Sequence, residues 1–167
     1  MTTDEKTMNI TYEAYFRSIF GTMVEIFGLL EEEVGREEAL KRISEFSAEK
    51  SVENRKRILA SMDIENFEDF KKVYKEELNS PPMKNSLSYE ILEDTDTRFK
   101  FDVNRCLWAE IFEQMGAEDI GYEVSCKPDL EVASIYHPNV ELKRTKTLMQ
   151  GDDHCDFEYV WKEDRSD

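Results

Sequence analysis

The chain has no run approaching the ~18 consecutive apolar residues that a membrane-spanning helix needs, and its first residues lack a basic region followed by an apolar stretch. A soluble, cytoplasmic protein without a membrane partner is the expectation. Basic charge is scarce: 22 Lys and Arg stand against 38 Asp and Glu, a formal charge of −16. Because nucleic-acid affinity comes mainly from cationic side chains displacing counterions, nucleic acid is excluded as an expected partner. Cysteine is limited to Cys106, Cys126 and Cys155, an odd and widely spaced set that fits reduced thiols better than a disulfide framework. No serine nucleophile elbow, phosphate-binding glycine loop or dinucleotide fingerprint occurs, which disfavours ATP and NAD chemistry.

What is present is enough apolar surface to fold. Apolar residues make up 40% of the 167, with ten Phe and seven Tyr, too many for a disordered chain despite the charge. The length suits a single domain, taken here as residues 1–167.

Up to Asn79 the pattern is helical. Tyr12, Phe16, Ile19, Phe20, Met23, Ile26, Phe27 and Leu30 form one i, i+3, i+4 stripe that Thr11 could cap. Core packing is its ordinary use; a homodimer interface is a second. Gly35 suggests its end, and shorter helices are expected over 37–47, 52–62 and 67–78, the last capped by Asn66. Ser80-Pro81-Pro82 breaks the pattern, since consecutive prolines remove two amide donors.

Beyond the break the period shifts to two. Leu87, Tyr89 and Ile91, then Phe99, Phe101 and Val103, flank an Asp94-Thr95-Asp96-Thr97 turn and read as a hairpin. Residues 105–116 return to helix, and Pro128 opens another that ends near Tyr136, with His137 as a helix-terminal residue. Val140, Leu142 and Arg144, then Cys155, Phe157, Tyr159 and Trp161, supply two more strands. The expected fold is α+β: an N-terminal helical layer over about 10–79, followed over about 84–162 by two β-hairpins bracketing a helical pair, with a mainly antiparallel sheet.

Chemistry concentrates in the second half. Asp129, Val132, Ala133 and Tyr136 share one helical face, so Asp129 either caps the helix start or sits against the core and requires a cation. Cys126, just before that helix, would be a nucleophile if free amides lowered its pKa. Cys106 falls off the apolar stripe of Leu107, Ile111 and Met115; either the helix begins after it or it lines a cleft. Cys155 shares strand parity with Phe157 and Tyr159 and is expected in the apolar face. The three thiols with His154 or Asp129 are a zinc alternative, weakened by the lack of a Cys-x-x-Cys pair.

Cys106 opening a helix, Cys126-Lys127-Pro128-Asp129, Arg144-Thr145-Lys146-Thr147-Leu148 and Gly151-Asp152-Asp153-His154-Cys155-Asp156-Phe157 together resemble the L-2-amino-thiazoline-4-carboxylic acid hydrolase family. The similarity runs loosely from Val24 to Trp161 and is specific from Asn104 onward. It implies a hydrolase, without a cofactor, that opens a small cyclic isothiourea or amidine ring by attack of a thiolate or an activated water at C2. Asp129 would hold the amidinium edge, Cys126 or a nearby water would attack, and Cys106 and Cys155 would flank the site. Arg105 and Arg144 would be the candidates for the substrate carboxylate, their other use being surface ion pairing. A non-catalytic sensor module binding a small molecule or metal is the alternative, since vinyl reductase-like sensor domains have a similar Gly-to-Cys ending.

Overall fold

In the computed structural model, residues 9–162 are described. Helices come first: α1 (Tyr12–Val34), α2 (Arg36–Leu59), α3 (Phe67–Asn79) and the short α4 (Met83–Ser86). The caps follow the sequence signals. Thr11 accepts from the Ala14 amide and Asn66 from the Asp69 amide, each satisfying one of the free amides of a first turn. Gly35 separates α1 from α2 with a φ of 82°, a conformation that costs a side chain strain and glycine none. The two helices expected over 37–47 and 52–62 are instead one, since Ala48 to Ser51 contain no breaker and helix propagation is easy once begun.

The sheet is antiparallel throughout, in the order β1-β2-β4-β3. Strands β1 (Leu87–Asp94) and β2 (Arg98–Cys106) form the first hairpin, and β3 (Val140–Lys143) and β4 (Cys155–Trp161) the second pair. Phe99 opposes Tyr159, Phe101 opposes Phe157 and Val103 opposes Cys155. Cross-strand partners share a face, so this register builds one apolar surface, against which α3 and a later helix, α7 (Pro128–Tyr136), pack with Phe67, Phe70, Leu78, Ala133 and Tyr136. The fold is α+β, helices leading.

Between β2 and β3 lie α5 (Leu107–Met115), α6 (Glu118–Gly121) and α7 (Pro128–Tyr136). Gly116 ends α5 in the left-handed conformation (φ 61°). A single wide turn of π-helix, Tyr122–Cys126, joins α6 to α7, and Gly121 and Lys127 on either side keep right-handed helical angles. The chain therefore coils without interruption from Glu118 to Tyr136. A second apolar cluster, with Phe27, Ala39, Phe112, Ile120 and Met149 at its centre, ties α1 and α2 to this helical stretch. No helix among the described residues is long and apolar enough to cross a membrane.

Candidate functional site

Three stretches of chain deliver polar groups into one cavity of about 190 Å3 between the sheet and the helices. Cys106 ends β2, Ser125, Cys126 and Asp129 come from the π-turn and α7, and Arg144 and Cys155 come from β4 and the loop before it. Leu87, Phe101, Val103, Trp108 and Phe157 make up much of the remaining wall. An apolar chamber with a few convergent polar groups is the usual build of a small-molecule site, and this one is smaller than the ~300–1,000 Å3 of drug-sized pockets. A cavity of about 150 Å3 accepts a benzene ring, so the space suits one small ring with a substituent.

Arg144 is the centre of the arrangement. Its side chain is only 3% exposed, and a charge so buried needs compensation. Nη1 donates to Asp129 Oδ2 at 2.9 Å and Nη2 to the Cys126 carbonyl at 2.7 Å, while the guanidinium lies 4.9 Å from the centre of the Phe157 ring. Burial works against its charge, but Asp129 and Cys126 outweigh it and the pKa moves further up. Arg144 stays cationic.

Asp129 shows why the α7 face combines an acid with apolar residues. It does not cap a free helix start, because the coil runs on through Lys127; it projects into the cavity and meets Arg144. Protein surrounds the carboxylate, yet 41% of its side chain remains accessible, and Asp129 belongs to the cavity wall. Burial is the largest influence on its pKa and raises it, opposed by the charge and hydrogen bond of Arg144 and by Arg55. The result is a carboxyl group whose pKa lies above that of an ordinary aspartate, and perturbed acids of this kind are common at functional sites.

The thiols behave differently from the sequence expectation. The sequence places Cys126 beside the start of a helix, where free amides would favour the thiolate. Instead the π-turn leads straight into α7, and the Lys127 amide is already bound to the Tyr122 carbonyl at 2.9 Å. Burial pushes the Cys126 thiol well up, and the nearby Arg144 only partly offsets this. Cys106 is the residue before α5, so both sequence readings hold for it: the helix begins after it and it lines the cavity. Burial lifts its pKa to about 11 although the Ala109 and Trp108 amides pull the other way. Cys155 is buried in the apolar face, and its Sγ accepts from the Leu148 amide at 3.2 Å; burial raises it too. Burial thus moves all three thiols above their ordinary value and favours the neutral form.

The other sequence candidates lie elsewhere. Arg105 is 52% exposed and pairs with Glu110 at 2.7 Å, on the surface and outside the cavity wall. His154 points to the opposite sheet face from Cys155, where it contacts Asp153 at 2.8 Å and Asp102 at 3.6 Å. Among the described residues no group of three or more His, Cys, Asp or Glu is arranged to hold a metal ion. His137 stacks on Trp161 with ring centres 4.5 Å apart, at the end of α7.

Several contributors escaped the sequence reading. Asp156 accepts from the Thr145 and Lys146 amides at 2.8 and 2.6 Å and from the Thr145 hydroxyl at 2.6 Å. Asp152 accepts from the Thr147 amide at 2.8 Å. These two acids of the Gly-Asp-Asp-His-Cys-Asp-Phe segment brace the loop that carries Arg144. Phe157 supplies the ring beside the guanidinium. The signal was available: both acids lie in the segment after Gly151, and short acids near turns commonly bind backbone amides.

A family model described as L-2-amino-thiazoline-4-carboxylic acid hydrolase matches residues 12–159 of the chain. No curated protein matches. Among solved structures, trafficking protein particle complex subunit 3 from Naegleria fowleri, covalently bound to palmitic acid, is 10% identical with a TM-score of 0.49. That alignment covers 90% of this chain and 95% of the subunit. The phenol-responsive sensory domain of the transcription activator PoxR, with phenol, is 11% identical with a TM-score of 0.46, covering 94% of this chain and 78% of the domain.

Proposed function

The chain belongs to the L-2-amino-thiazoline-4-carboxylic acid hydrolase family, and from that membership we propose that it hydrolyses a small cyclic isothiourea of the 2-amino-thiazoline-4-carboxylate type in the Arg144–Asp129 cavity. The observation that carries the reading is the pairing of one buried cation with one raised-pKa carboxylate in the wall of a ring-sized chamber. Such a substrate is a zwitterion with an amidinium edge and a carboxylate. Inserted between the partners, it adds no net charge to a buried site, which keeps its desolvation cost low.

In this reading the Asp129 carboxylate holds the amidinium edge through a charge-assisted fork, which keeps the ring nitrogen protonated and C2 electrophilic. Arg144 orients the ring carboxylate. With the three thiols neutral, water is the nucleophile. Its oxygen bonds to C2 as Asp129 takes its proton, and the C2–S bond then breaks. The departing sulfur takes that proton from Asp129 and leaves as a free thiol, while the new hydroxyl gives its own proton to solvent and the carbon remains on nitrogen as a carbamoyl group. One water is consumed and Asp129 ends as it began. Cys106 and Cys126 form the wall beside the ring.

The test is incubation with 2-amino-thiazoline-4-carboxylate, following release of a thiol and a mass gain of one water. Time-dependent appearance of both supports the proposal. Tight binding of the ring without either would favour the sensor reading, to which the three neutral thiols lend specific support.

A further inference from the structure

Behind Asp129 lies a second, much smaller chamber of about 40 Å3. The two cavities share Tyr74, Leu78, Met83 and Asp129, so the carboxylate stands in the wall between them. The far side is polar and comes from three helices. Arg55 of α2 is ion-paired with Glu77 of α3, and the Tyr136 hydroxyl of α7 donates to Glu77 Oε2 at 2.6 Å. The Arg55 guanidinium lies over the Tyr136 ring, 4.7 Å from its centre. The Tyr74 and Tyr159 rings, with centres 4.7 Å apart, close the sheet side.

A buried water needs about 10–15 Å3 of such space and two to four polar partners, so the chamber can hold about two or three. We propose that it is a water-binding subsite serving Asp129, in which Arg55, Glu77 and Tyr136 are positioning residues that hold water against the carboxylate. The proposal rests on the hydrolase reading for its purpose, since a ring that fills the outer cavity leaves little room for the attacking water to arrive beside it. The inner chamber supplies that water from the other side of the acid. It also explains an ion pair and a phenol placed where plain apolar packing would otherwise suffice.

The groups that face Asp129 are Arg144 and the Cys126 thiol from the loop and π-turn, Cys106 and Cys155 from the strands, and Tyr74, Tyr136, Tyr159, Arg55 and Glu77 from the chamber side. Of these, Arg55 is the cation beyond Arg144 that favours the ionised acid.

Tyr136→Phe keeps the ring under Arg55 and removes only the hydroxyl, while Val132→Met fills the chamber from a position outside the substrate cavity. With folding confirmed by thermal unfolding, each is expected to lower kcat about tenfold or more with KM within about twofold. Unchanged kcat in both would overturn the proposal. Independently of turnover, the Asp129 carboxyl can be titrated in the ligand-free protein by carbon-13 NMR. Arg55→Met is expected to move that titration to higher pH and Arg55→Lys to restore it; no movement would equally overturn the role of Arg55. If the wild-type protein opens no ring, the hydrolase reading fails on its own account and the titration alone decides whether the chamber acts on Asp129.

Discussion

At the scale of single residues, the site depends on one guanidinium doing two jobs that a lysine cannot combine. Arg144 reaches Asp129 with one terminal nitrogen and the Cys126 carbonyl with the other, its guanidinium carbon over the Phe157 ring. An ammonium is a point donor without the planar fork. Arg144→Lys is therefore expected to cost about 1.5–3 kcal/mol of stability, the range for hydrogen bonds to charged groups, and to reduce ring opening at least tenfold, read by chemical denaturation and by the thiol-release assay. Stability and turnover both within error of wild type would contradict the account. Asp129 and Arg144 were legible in the sequence as an acid on an apolar face and a nearby cation. Their direct pairing was not, because fifteen residues of chain separate them and only the fold closes that distance. The pKa of Cys126 was misjudged for a related reason: proline at the first position of α7 signals a helix start, but the π-turn before it had no pattern to show that the coil was already under way.

At the scale of elements, the loop between β3 and β4 is held by its own acids. Burial alone would raise the Asp156 carboxyl, but the Thr145 hydroxyl and the Lys146 and Thr145 amides outweigh it and hold the pKa below the ordinary 3.8. A group depressed on folding contributes stability that is fully present above its unfolded pKa and is lost as pH falls through its folded one. The contribution of Asp156 is thus expected to persist at pH 5 and to fade below pH 3.8. Asp156→Asn should narrow the stability difference between pH 6 and pH 3, measured by denaturant unfolding, and should lower turnover by loosening Arg144; an unaltered pH dependence would count against the bracing role. Strands β1, β2 and β4, and the caps at Thr11 and Asn66, were readable because alternation and capping are local properties. The break expected between the helices over 37–47 and 52–62 does not occur, because nothing in residues 48–51 favours a stop and α2 runs through them. The short α4 and α6 were missed, as elements of four residues leave no periodicity to detect.

At the scale of the whole molecule, charge and burial oppose each other. With a formal charge of −16, the compact state carries self-repulsion that expansion would relieve. Many surface ion pairs, such as Arg36 with Asp119 at 2.7 Å and Arg42 with Glu38 at 2.7 Å, recover little of this, since exposed pairs contribute about 0–1 kcal/mol. Raising sodium chloride from about 10 mM to 0.5 M shortens the screening length from about 30 Å to a few ångström. The melting temperature is expected to rise, as general repulsion weakens more than the few attractive pairs; a fall would show that the surface pairs dominate. The acidic composition, the α+β class and the order of layers could all be read from the chain, because they follow from counts and period. The cavity could not, since it is the space left where three elements separated by tens of residues fail to meet.

The central claim is that a carboxyl group held between Arg144 and the ring performs the chemistry, while the thiols beside it stay neutral. It is tested most directly by comparing the rate of 2-amino-thiazoline-4-carboxylate opening in the wild type, Asp129→Asn and Cys126→Ala at pH 7.5, with intact-protein mass spectrometry during turnover. The account predicts a loss of about a hundredfold or more in Asp129→Asn, as for removal of a general acid–base, a loss of less than about tenfold in Cys126→Ala, and no mass increment on the protein. Abolished turnover in Cys126→Ala together with a covalent adduct on the wild-type chain, or undiminished turnover in Asp129→Asn, would contradict it.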